Sequence, residues 1–149
     1  MTQESTGSLR VRVRKEYLPL YKDLLKRKIF KEHNEFFTFC CCIGKDHLTS
    51  TEKIPLVELC HAYTFKEDQR TLLKALIYNQ TQEVVAVEQM FSTAEILADN
   101  GFHKLTTSVL EDYVLISEDG DVSLMLGKEK DVQIALSKYV SQDMVAVPF

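Results

Sequence analysis

The chain has 149 residues, 45% of them apolar and 27% charged, and a formal net charge of −4. That size suits one domain with a sizeable core, and the apolar content excludes a disordered chain. No apolar run approaches the roughly 18–20 residues of a membrane span, and the polar residues 1–8 read as a flexible tail with no secretory signal.

Leu9-Arg10-Val11-Arg12-Val13-Arg14 alternates strictly, which predicts a β-strand with one dry and one charged face. A helix follows over about residues 16–28. Tyr17, Leu20, Tyr21, Leu24 and Leu25 recur at three- and four-residue spacing. Pro19 is tolerated only in a first turn, where its missing N–H has no partner to lose. A second helix, about residues 33–43, is apolar all round and must be buried on most sides. Gly44 ends it, and residues 45–55 read as a polar loop.

Thr64 to Glu67 has the form of a capping box. The helix it opens carries Leu72, Leu73, Leu76 and Ile77 on one face and ends at Asn79-Gln80-Thr81. Residues 83–91 fit helix or strand. Ser92 to Glu95 forms a second capping box, and Asn100-Gly101 predicts a helix stop with Phe102 packing behind it. A short helix follows over about residues 103–110. Residues 113–117 and 122–126 flank Asp119-Gly120, a hairpin signal, and residues 131–139 form a last helix. The predicted fold is α+β and mostly helical. A strand–helix–helix unit (9–46) leads into a helical part (47–111), then a β-hairpin with a terminal helix (112–149), all in one domain over 9–149.

Charge is unevenly placed: residues 1–46 sum to +4 and residues 47–149 to −8, a hint of an anionic partner for the basic part. No catalytic motif is present. His33, His47, His61 and His103 have no placed acid or nucleophile, and phosphate-loop and H-E-x-x-H patterns are missing. Cys40, Cys41 and Cys42 would point about 100° apart on a helix, so they cannot converge on a metal, and Cys60-His61 offers one useful ligand at best. Small buried side chains is the better reading, and free thiols fit a reducing cytoplasm. No metal, cofactor or enzymatic activity is expected.

The unit from Leu9 to Ile43 resembles the ribbon-helix-helix family of DNA-binding proteins, in which two chains pair their first strands and the ribbon reads the major groove. The resemblance implies a homodimer on double-stranded DNA, with Arg10, Arg12, Arg14 and Lys15 on the strand side. Arginine's fork matches the two acceptors of guanine. Lys31 and His33 would lie near a phosphate at the start of the second helix, but Glu32 and Glu35 sit at the same end and repel one. The alternative is a solvated basic strand on a small mixed sheet.

A longer stretch resembles the small accessory proteins of bacterial DNA phosphorothioation (Dnd) systems, in particular Dnd system-associated protein four. It is carried by Val11-Arg12-Val13-Arg14-Lys15-Glu16-Tyr17, by Ile29-Phe30-Lys31, and by Phe36-Phe37-Thr38-Phe39 running on to Ile43-Gly44. Phe65-Lys66-Glu67-Asp68 and Ala98-Asp99-Asn100-Gly101-Phe102 extend it, so that it covers roughly residues 10–105. The family pattern has alanines where this chain has Cys40 to Cys42. This resemblance implies a non-enzymatic accessory or regulatory protein of a phage-defence operon. Such a protein would act either by binding DNA or as a protein-interaction subunit of a larger defence complex without DNA contact. Residues 106–149 lie beyond the match and carry −5, three lysines against eight carboxylates. That balance favours a basic protein partner, with Tyr113, Leu115, Met125 and Val145 as the candidate apolar contacts.

Overall fold

A computed structural model describes residues 8–46 and 55–144. The predicted tail, most of the 45–55 loop, His47 and Val145 therefore lie outside the described residues. The fold is α+β and 63% helical, with two small antiparallel sheets.

Strand β1 (Arg10–Arg14) buries Val11 and Val13 and turns its arginines away from them. It is followed by a single 3-10 turn and helix α1 (Leu18–Lys26), with Pro19 in the first turn as its chemistry requires. Leu20, Tyr21 and Leu24 form the buried stripe of α1, and Lys28, at φ 62°, turns the chain towards the next helix. Helix α2 (His33–Ile43) is buried almost all round, as its composition demands. Its one buried amide is fully used: Asn34 donates to the Thr64 carbonyl at 3.0 Å and accepts from Gln69 at 3.0 Å.

Strand β2 (Leu56–His61) was not expected from the sequence, and it is the partner of β1. The register runs Arg10 to His61 and Val11 to Cys60, then jumps to Arg12 opposite Glu58, so that Leu59 is an extra residue in a bulge. The bulge explains why the strand was illegible. Leu56-Val57-Glu58-Leu59-Cys60 has no two-residue alternation, because one residue is left out of the pairing.

Helix α3 (Glu67–Thr81) starts two residues later than the Thr64 capping box predicts. Gln69 accepts the Lys66 N–H at 2.8 Å, and the Thr64 hydroxyl instead donates to the His61 carbonyl at 2.7 Å. Leu73, Leu76 and Ile77 are buried, whereas Leu72 faces outward.

The largest departure is helix α4, a single 20-residue helix from Val87 to Thr106. It absorbs residues 87–91 of the ambiguous segment, the second capping box, the Asn100-Gly101 stop and the start of the short helix after it. Ser92 and Glu95 lie mid-helix, and Gly101 serves packing rather than termination. A Cβ on Gly101 would fall 1.8 Å from the Cys40 carbonyl oxygen, and one on Gly44 would fall 2.0 Å from the Leu97 carbonyl oxygen. Two glycines facing opposite helices thus let α2 and α4 approach backbone to backbone. Cys40 and Cys41 are fully buried beside this crossing, and the Cys41 thiol donates to the Ala94 carbonyl at 3.3 Å. Burial holds both thiols well above their usual range, as expected of packing residues rather than nucleophiles.

Because α4 lies on α2, Phe36, Phe37 and Cys40 are covered within one chain. Tyr17 stacks on Phe102 at 3.8 Å, and Tyr21 meets Phe36 edge-on at 5.0 Å. No second copy is needed to bury these side chains, so the core gives no support of its own to the homodimer that the ribbon resemblance implies.

The hairpin β3 (Val114–Ile116) and β4 (Val122–Leu124) forms as the Asp119-Gly120 signal indicates, with Gly120 at φ 91°. It leads through a turn to helix α5 (Glu129–Tyr139) and a final π turn, Val140–Met144. Two side chains, one on α1 and one at its C-cap, tie the hairpin down. Asp23 accepts the Leu124 N–H at 3.0 Å, and Arg27 donates to the Met125 carbonyl at 2.8 Å while meeting Glu129 at 3.3 Å.

Candidate functional site

Two surfaces carry the candidate residues. On the first, β1 is held between β2 on one edge and α4 on the other. Each of its arginines meets a carboxylate. Arg10 meets Glu58 across the strand pair at 3.3 Å. Arg14 binds Asp99 through two parallel bonds, Nε at 2.6 Å and Nη2 at 2.9 Å, the strong fork geometry for this pair. Arg12 is joined to Glu95 mainly by its backbone: its N–H donates to the carboxylate at 2.8 Å, while its guanidinium, half exposed, sits at 3.4 Å. Glu95 and Asp99 are four residues apart on α4, hence on one helix face, and they reach alternate arginines of β1.

This arrangement differs from a two-chain ribbon. β1 already has an intrachain partner in β2, and at Arg12 the outward backbone N–H is taken by Glu95. The three arginine charges are matched locally by Glu58, Glu95 and Asp99. The structure thus has a two-stranded antiparallel sheet within one chain, which is neither the two-chain ribbon nor the mixed sheet that the sequence left open.

Around α2 the phosphate site expected from the resemblance is poorly furnished. Lys31 is exposed, and its N–H donates to Glu35 at 2.9 Å. His33 is half-buried, and burial followed by the nearby Lys22 lowers its pKa below the usual histidine value, so it is neutral at pH 7. Glu32 is drawn towards Lys66 at 3.8 Å. Lys15 is exposed at the start of the 3-10 turn. The six residues Arg10, Arg12, Arg14, Lys15, Lys31 and His33 are not brought together as one unpaired cationic surface.

The second surface is the C-terminal unit. The hairpin is two-faced: Val114, Val122 and Leu124 are buried against the core, while Leu115 and Ile116 are more than half exposed. Leu126 and Ile134 are also more than half exposed. Of the four candidates read from sequence, Leu115 is exposed, Tyr113 and Met125 are half-buried, and Val145 lies outside the described residues. Ile116, Leu126, Ile134 and Val140 were missed. Helical periodicity could have found Ile134, which lies across α5 from the buried Val132 and Leu136, whereas Ile116 is exposed although Val122, its partner across the hairpin, is buried. Beside α5 an open groove of about 560 Å³ is lined by Ile29, Phe30, Phe39, Leu136 and Val140. Glu111, Asp112, Glu118, Asp119 and Asp121 are exposed around the hairpin.

Among the described residues no group of three or more His, Cys, Asp or Glu side chains is placed to hold a metal ion, and no helix is long and apolar enough to cross a membrane. No family model, curated protein or solved structure matches the chain.

Proposed function

We propose that this chain is a non-enzymatic accessory subunit of a bacterial phage-defence operon of the DNA-phosphorothioation kind, working in the cytoplasm by docking on a larger protein. The operon context rests on the sequence resemblance. Docking is supported by one observation above the others: five of the nine large apolar side chains exposed among the described residues fall on the hairpin, the turn after it, α5 and its end. Single exposed apolar side chains are ordinary, but a concentration beside an apolar groove is the mark of an interaction surface. The −5 charge of residues 106–149 selects a partner segment with an apolar stripe and basic flanks, since rim charges steer association and reject partners of like sign.

The test is co-expression with the proteins encoded alongside it. The double variant Leu115→Lys/Ile116→Lys changes only exposed side chains, so its folded stability is expected to stay within about 0.5 kcal/mol of the parent. Co-elution with the partner is expected to be lost. Undiminished co-elution by the folded double variant contradicts docking through this surface.

A second reading, DNA binding by a dimer through β1, is favoured by Arg12, whose guanidinium is half exposed and only loosely held by Glu95. In that reading Arg12→Ala lowers affinity for a specific DNA site by about 1–3 kcal/mol, measured by gel shift with the operon's upstream DNA. Equal binding by parent and variant removes it.

A further inference from the structure

The end of β1, the 3-10 turn after it and the C-terminal half of α4 enclose a second open groove, of about 630 Å³. That is within the range of roughly 300–1,000 Å³ usual for small-molecule sites. None of its residues belongs to the docking surface above. Arg14, Tyr17, Asn100, His103 and Lys104 line it around Asp99.

Donors dominate this wall. The one carboxylate is already spent, because both oxygens of Asp99 accept from Arg14. Arg14 Nη1 keeps its hydrogens free of any partner among the described residues. Burial, and then the nearby Asp99 charge, push the Tyr17 phenol up to about 12, so it remains a protonated donor at neutral pH. The side chains of His103 and Lys104 make no hydrogen bond or ion pair among the described residues. The nearby end of α4 opposes an anion with roughly half a negative charge. Three hydroxyls blunt it: Thr106, Thr107 and Ser108 donate to the carbonyls of Phe102, His103 and Lys104. Lys104 adds an ammonium charge to the same wall. An aromatic platform for a base is lacking, since the Tyr17 ring is already stacked on Phe102 and lies under the Arg14 guanidinium at 5.5 Å.

We propose that this groove binds the phosphate group of a small phosphorylated metabolite, held by Lys104 and His103 with the outer edge of Arg14 and the Tyr17 hydroxyl. A phosphomonoester carries about −1.5 to −2 charges and three acceptor oxygens, against one charge on a nucleic-acid backbone diester. It therefore suits a wall of clustered donors better.

The experiment is an amide-resolved NMR titration of the full chain with three probes: inorganic phosphate, a nucleoside 5′-monophosphate and a short DNA duplex. Saturable shifts at Asn100, His103, Lys104 and Thr107 with the first two probes are the expected result. Lys104 is exposed, so Lys104→Ala is expected to fold normally and to weaken binding about tenfold, the equivalent of roughly 1.4 kcal/mol, while Lys104→Arg keeps it. The proposal is overturned by the absence of saturable shifts, by shifts that Lys104→Ala leaves unchanged, or by saturation with the duplex alone. The last result would make the groove a nucleic-acid contact.

Discussion

Gly101→Ala is expected to be among the most damaging single substitutions in this protein, although it replaces the poorest common helix former but one with the best. At an unremarkable mid-helix position that exchange stabilises by about 0.8–1.0 kcal/mol. Here the added methyl carbon would fall 1.8 Å from the Cys40 oxygen, 2.7 Å from its carbonyl carbon and 2.9 Å from the Gly44 nitrogen. All three are backbone atoms, so no side chain can swing away. The two most buried helices, α2 and α4, must separate, and the Tyr17, Tyr21, Phe36 and Phe102 cluster between and beside them must repack. Overpacking costs about 1–3 kcal/mol and occasionally more; with rigid backbone on the far side, a net loss of about 3 kcal/mol is expected. Urea denaturation reads it as a lower midpoint with an unchanged slope. A gain of about 1 kcal/mol would mean that the two helices are not in close contact in solution.

Glu95 supplies the second large effect, and its two obvious substitutions are expected to part company. Glu95→Ala leaves the Arg12 N–H without an acceptor in a site where the carboxylate is almost wholly buried, at a cost of about 1–3 kcal/mol. Glu95→Gln keeps an oxygen for that N–H and loses only the long contact with the half-exposed guanidinium, which costs about 1 kcal/mol or less. The pH dependence has a definite sign. Burial raises the Glu95 pKa above its ordinary 4.5, outweighing the Arg12 bonds that pull it down. The folded state therefore holds the proton more tightly than the unfolded chain. The stability linked to that proton is fully present below pH 4.5 and is lost as pH rises through the higher native value. Relative to Glu95→Gln, which has no such proton, the parent is expected to lose stability as pH climbs from about 4.5 towards neutrality. Parallel denaturation curves across that range decide it, and a parent that gains on the variant over the same interval would reverse the assignment of burial as the dominant cause.

These two residues also show why the sequence misled where it did. Asn-Gly beside an apolar residue is a sound helix-stop signal in isolation, because glycine accepts a left-handed backbone. The same glycine is the only residue that leaves room for another helix's backbone, and nothing local distinguishes the two uses. Ser92 to Glu95 likewise matches a capping box, yet Glu95 is turned sideways to a strand 83 residues earlier in the chain. The strand β2 was hidden by its bulge, and Thr64 lost the cap to a geometry in which its hydroxyl closes the preceding turn.

The amino-acid sequence by itself determined the elements whose signal is periodic and short-range. β1 follows from strict alternation, α1 from its apolar spacing and Pro19, α2 from its continuous apolar run ending at Gly44, and the hairpin from Asp119-Gly120. It also determined that three adjacent cysteines would be packing residues. Tertiary structure alone decided what meets what: that β2 rather than a second copy completes β1, that α4 is one helix, and that Glu58, Glu95 and Asp99 neutralise the arginines. The reason is physical. Periodicity encodes which face of an element must be dry, and that is a local property. Which carboxylate lies opposite which arginine, and whether a glycine ends a helix or admits another, depends on chain segments tens of residues apart being brought into direct contact.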